Sequence, residues 1–156
     1  MIIKSLSRKK PSFEQLYDYM LNGADDKEIL ITRNLLKYND KESVINQFDK
    51  NYNLLTKRKN TNALYHEIIS LPHQKNMDIK KQKEIIQDLA NQYLDNRTNN
   101  NLCFGVIHEE KEHLHCHLMI SSNAKGSYTR HRLARAEFNE IRREVERYKL
   151  EKFFLN

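Results

Sequence analysis

Between Leu102 and Ser121 the chain reads LCFGVIHEEKEHLHCHLMIS, and four of its seven histidines fall inside this stretch. His113, His115 and His117 alternate with Leu114, Cys116 and Leu118. Successive side chains of a strand point to opposite faces. The alternation therefore sets three imidazoles on one face and an apolar row, continued by Ile120, on the other. Leu102 to Ile107 reads as a preceding strand, with the charged segment Glu109 to Glu112 as the hairpin loop. If His108 pairs with His115, the two Cβ atoms stand roughly 5 Å apart, and His117 lies two residues along on the same face. If His108 pairs with His113, that histidine moves forward instead; the sequence leaves both registers open. One histidine on a strand is ordinarily a surface or core residue. A cluster able to share one face of two rigid strands, with coordination positions to spare, suits an open catalytic divalent-metal site.

The chain has 156 residues, enough for one domain with a hydrophobic core. The same residues can also form the N-terminal nuclease part of a longer protein. A formal charge of +6 with 31% charged residues favours an anionic partner, nucleic acid first among them. Only 3 glycines and 2 prolines argue against long disordered linkers. The 2 cysteines, Cys103 and Cys116, make no disulfide framework, which fits a reducing cytoplasm. No signal peptide or membrane-spanning apolar run is apparent.

Met1 to Ser7 alternates weakly as a first strand, followed by the basic cluster Arg8, Lys9 and Lys10. Ser12 is placed to cap a helix carrying Phe13, Leu16, Tyr17 and Met20 at helical intervals, with Gly23 as its left-handed stop. Glu28 to Leu35 reads as a strand. Asp40 or Ser43 can cap a second helix with Val44, Ile45, Phe48, Tyr52 and Leu55 inward. Ala63 to Leu71 is a strand stopped by Pro72. Asp78 to Leu94 is a long amphipathic helix, and a last helix runs from about Leu133 to Phe153. The order β-α-β-α-β-α-β-β-α predicts an α+β fold: a single, largely antiparallel sheet with the helices covering mainly one face. The histidine face is expected to stay open for chemistry.

The pattern HEEKEHLHCH resembles motif III of the plasmid-mobilisation relaxases, which are HUH endonucleases (histidine, hydrophobic residue, histidine). The resemblance implies an HUH relaxase-like fold with a ferredoxin-like core. It assigns His108, His115 and His117 as ligands of one divalent metal ion, leaves Cys116 as core, and makes His113, Glu110 and His66 neighbours that orient the ligands. Many relaxases carry Asp where Glu110 stands. Ser12-Phe13-Glu14-Gln15-Leu16-Tyr17-Asp18-Tyr19 resembles the amino-terminal tyrosine helix of the same family. Tyr19 falls where the nucleophile is expected. Tyr17 lies about 200° around the helix from it, on the apolar stripe. Tyr65 to Pro72 resembles a central motif in which Glu67 or His66, on opposite faces, can reach the site.

Such a protein would cut single-stranded DNA at an origin of transfer, with accessory relaxosome proteins as partners. A free tyrosine, with a pKa near 10, needs help to attack a phosphodiester. A metal on neutral imidazoles polarises the phosphate as a Lewis acid; manganese, nickel and zinc suit such ligands, magnesium less so. The expected product is a 5′-phosphotyrosine and a free 3′-hydroxyl, with rejoining possible. Candidate DNA contacts are Lys4, Arg8, Lys9, Lys10, Lys57, Arg58, Lys125, Arg130 and Arg132, with Tyr128 and His131 able to stack on unpaired bases. Three rivals share parts of this pattern: a replication initiator of the HUH class, with Tyr148 as its only late tyrosine candidate, a non-catalytic metal-containing DNA-binding module, and a metal-dependent hydrolase using a metal-bound water.

Overall fold

The computed structural model describes residues 1–22, 30–153 and 155. The chain runs β1 (Ile2–Arg8), α1 (Phe13–Asn22), β2 (Leu30–Arg33), α2 (Lys41–Tyr52), β3 (Leu64–Pro72), α3 (Ile79–Arg97), β4 (Asn101–Glu109), β5 (His113–Ala124), α4 (Arg135–Phe153). This is the expected order. The strands form one antiparallel sheet in the order β1-β3-β5-β4-β2. The three longest strands, β3, β5 and β4, thus sit inside the sheet, and β1 and β2 form its edges. The expected glycine stop at Gly23 and the expected strand start at Glu28 lie outside the described residues.

Local chemistry fixes the helix starts. Asp40 accepts from the Ser43 amide at 2.8 Å and opens α2, and Asp78 accepts from the Lys81 amide at 3.1 Å and opens α3. Asn34, Asn60 and Asn100 take left-handed backbone angles where the chain turns, a conformation asparagine tolerates better than most residues.

Helices cover both faces of the sheet, not mainly one. Leu114, Cys116, Leu118 and Ile120 of β5 join Cys103, Ile107 and Ile69 against α3 and α4. On the histidine face, Leu64, Leu102, Phe104, Val106 and Met119 pack against Phe13, Leu16, Tyr17, Met20, Val44 and Phe48 of α1 and α2. The strands carry apolar residues at alternate positions on both faces, so each face needs a cover. Cover on the histidine side is partial. α1 and α2 pack over the β4 and β5 half, while Ile2 and Leu6 of β1 remain 52% exposed.

Glu67 anchors the α3 side. It is fully buried, receives Arg97 Nε at 2.8 Å and Nη2 at 2.9 Å, and accepts from the Tyr93 hydroxyl at 2.6 Å and from Ser5. A charge removed from water is tolerated only with such a shell of donors. Arg97 also lies over the Tyr65 ring, 4.9 Å from its centroid.

Gly105 is a close approach between β4 and β5. A Cβ there would lie 2.6 Å from Leu118 Cδ2 and 2.9 Å from the His117 carbonyl oxygen. Because the second contact is backbone, β5 itself would have to move. Gly105→Ala is expected to destabilise the fold by about 1–3 kcal/mol, read as a lower urea midpoint with an unchanged slope.

Candidate functional site

The β4–β5 pairing places His108 directly opposite His115, and His117 opposite Val106. Of the two registers open to the sequence, this is the one that forms. Its consequence is a cluster of rings: His108 and His117 centroids are 4.4 Å apart, and His115 and His117 are 6.0 Å apart. His66 of β3 joins them, stacked on His117 at 5.1 Å with its Nε2 2.9 Å from His117 Nδ1. Burial, followed by the neighbouring His108 and His66, pushes the His117 pKa down to about 3. Burial, then the Arg8 charge, pushes His66 down to about 4. Both rings are therefore neutral at physiological pH, the state in which imidazole binds a metal.

The other groups around the cluster are placed as follows. His108 Nε2 meets the carbonyl of Met20 in α1. His115 Nδ1 is 3.4 Å from Glu110 Oε1, and the Glu110 turn is braced by His73, whose Nε2 lies 2.6 Å from the Glu110 carbonyl. His113 is at the outer end of β5, opposite Pro72, with its ring 6.1 Å from His115. Among the described residues, no three His, Cys, Asp or Glu side chains stand in a ready-made metal-holding arrangement. The donor chemistry nevertheless fits a divalent cation: imidazoles from two adjacent strands, two rings of the cluster held neutral by burial. Sequence reasoning missed the Met20 carbonyl and His73. A backbone carbonyl has no residue-type signature, and His73 lies far from the cluster in the sequence.

The tyrosines separate clearly. Tyr17 is buried and stacks on Phe104 at 5.0 Å, and burial raises its pKa. It is a core residue, which removes it as a catalytic candidate. Tyr19 is 57% exposed, with its ring edge-on 5.8 Å from His117 and 6.0 Å from His66. Tyr148 lies in the opposite layer, 3.0 Å from Asp88 of α3, so the tyrosine order of the replication-initiator rival has no geometric support. Glu67, named beside His66 as a catalytic candidate, is corrected in the same way. Strand alternation turns it to the α3 side, where Arg97 and Tyr93 hold its carboxylate.

A family model for the relaxase MobA/VirD2-like nuclease domain matches residues 19–152. The chain belongs to this relaxase family. No curated protein sequence matches significantly. One solved structure, described as "Molecular Basis of Vancomycin Resistance Transfer in Staphylococcus aureus", is 20% identical over 97% of this chain and 70% of its own, with a TM-score of 0.49. A relaxase nuclease domain belongs to the DNA endonucleases that serve mobilisation. None of the described helices is long and apolar enough to cross a membrane.

In this relaxase domain the cationic candidates divide by position. Arg8, Lys9 and Lys10 line a cavity of about 420 Å³ together with Ser12, Gln15 and Tyr19. Arg58, Tyr128 and Arg130 line another of about 290 Å³. Arg130 is already engaged by the carbonyls of Asn62 and Thr56, at 3.0 and 3.1 Å. Lys57 lies over the Tyr52 ring, 5.5 Å from its centroid. Lys4, Lys125 and Arg132 are exposed, and His131 is half-buried with its amide donating to the Ser122 carbonyl. The contrast between the two tyrosines has a stability consequence. Tyr17→Ala should cost about 3–5 kcal/mol, whereas Tyr19→Ala should stay within about 0.5 kcal/mol of the parent; chemical denaturation of both variants checks this.

Proposed function

We propose that this relaxase domain nicks single-stranded DNA at an origin of transfer by tyrosine transesterification, for mobilisation of a plasmid or other mobile element. The observation that carries the reading is the exposed phenol of Tyr19 set edge-on against His117 and His66, beside a cavity lined by Arg8, Lys9 and Lys10. The Tyr19 oxygen forms a bond to phosphorus, and the bond from phosphorus to the 3′ oxygen breaks. Tyr19 gives up its proton, the 3′ oxygen gains one, and the DNA 5′ end stays on Tyr19. The phosphodiester is exchanged, not hydrolysed, so the reverse step rejoins the strand. Arg8, Lys9 and Lys10 hold the phosphates near the phenol.

His108, His115 and His117 would hold one divalent cation, of which manganese, nickel and zinc suit imidazole best and magnesium least. Bound there, such an ion supplies Lewis-acid charge to the scissile phosphate. The chain's own part is to keep His117 neutral through burial and to aim the ligand rings. In the neutral His66–His117 pair one ring donates and the other accepts. With His117 donating from Nδ1 to His66 Nε2, the His117 Nε2 lone pair is left free for a metal. Glu110 fixes His115 in the same way from its Nδ1 side, and His113 stands behind it at the strand end. Accessory relaxosome proteins would select the origin.

Tyr19→Phe should abolish the covalent protein–DNA adduct on a denaturing gel while Tyr17→Phe retains it; an adduct surviving in Tyr19→Phe sinks the assignment. Titration calorimetry with manganese should show His115→Ala losing measurable binding. Glu110→Gln should lose no more than about 10- to 100-fold in affinity, and equal losses would remove Glu110 from its orienting role.

A further inference from the structure

The strand registers extend the histidine cluster sideways in rows. His115 is paired with Ser70, and Ser70 with Ile2; His117 is paired with Ile68, and Ile68 with Lys4; His66 is paired with Leu6. Neighbouring strands are spaced 4.7–4.9 Å apart, so Ile2 and Lys4 stand only about 10 Å from the histidines of their rows. All of these side chains share one face. On β1 that face reads Ile2, Lys4, Leu6, Arg8: apolar and cationic residues in alternation, spaced every second position. Ile2 and Leu6 are each 52% exposed, and Lys4 is exposed between them. Arg8 ends the series in the wall of the cavity that holds Tyr19.

Two large aliphatic side chains left in water on an edge strand call for an occupant. Cations alternating with them point to a polymer that carries an anion and an apolar face at a regular repeat. Unpaired nucleotides do so, whereas a duplex hides its base faces in the stack. We propose that the exposed β1 strip of this face, with Ile68 beside it, is a platform for single-stranded DNA next to the scissile phosphate. Bases lie on Ile2, Leu6 and Ile68, and backbone phosphates meet Lys4 and Arg8. The proposal rests on the nuclease reading for what happens at Tyr19. It adds where the flanking strand lies and which contacts are salt-independent.

Fluorescence anisotropy tests it with two labelled probes, an oligothymidine and an abasic oligonucleotide of equal length. The double variant Ile2→Ser, Leu6→Ser should bind oligothymidine about five- to tenfold more weakly, with the salt slope unchanged and abasic binding unaffected. Lys4→Gln should flatten the slope of log K against log salt by about 0.7 on both probes. Both sites are exposed, and a thermal melt confirms that the variants fold. Unchanged oligothymidine affinity in the double variant would overturn the platform, as would an equal loss on the abasic probe. So would a wild-type protein that binds neither probe, or a sedimentation shift showing that the substitutions only dissolve a self-association through β1. Failure of the nuclease reading registers separately, as a wild-type protein that forms no adduct yet keeps this binding signature.

Discussion

Slipping one residue in an antiparallel pair turns every side chain of the strand to the other face. The histidine cluster depends on that constraint twice over. The β4–β5 register sets His108 across from His115, and the β3–β5 register brings His66 beside His117. Both registers are held by what lies behind them: Leu114, Cys116, Leu118 and Ile120 are fully buried against the α3 and α4 layer. A slip would expose that apolar row and bury imidazoles among leucines. Sheet stability and site geometry are thus one requirement.

The two faces of the sheet do different work. The α3 and α4 face is closed, with the Glu67–Arg97 pair and the Tyr93 hydroxyl filling its polar needs. The opposite face is covered only in part. α1 delivers both a lid and a functional group: Phe13, Leu16, Tyr17 and Met20 bury themselves, and Tyr19, on the other side of the helix, emerges at the histidine cluster. The Met20 carbonyl on His108 ties the helix to β4 at the same point. Toward the β1 edge this face is more exposed, with Ile2 and Leu6 half in solvent. The site therefore sits at the boundary between a packed half of the sheet and a more exposed half.

Element order and a single, largely antiparallel sheet were legible from residue types and spacing, and the family from the resemblance of the histidine and tyrosine motifs. The alternation of Leu114, Cys116 and Leu118 with histidines is a period-two signal that survives any packing, and helix spacing set Tyr17 on the apolar stripe and Tyr19 off it, favouring Tyr19 without excluding Tyr17. The helix layer on the histidine face was less visible. Its cue, the apolar series Leu102, Phe104 and Val106 on the same face as His108, looks in isolation like the continuous run of any central strand. His66 and Glu67 were equivalent as sequence neighbours. Only the side of the sheet taken by α3 decides which one meets His117 and which meets Arg97.

The sequence by itself therefore determined which side chains share a face, because alternation is a property of the backbone and needs no partner. It also determined the chemical kind of the site, because imidazoles, a phenol and cations are fixed at their positions. Tertiary structure alone decided the pairing of His108 with His115, the arrival of His66 from a strand some fifty positions earlier, the Met20 carbonyl at His108 and the exposed strip along β1. Those depend on strand order and on which helix covers which half of the sheet. Both are set by the burial of the whole apolar surface at once, which no local stretch of residues encodes.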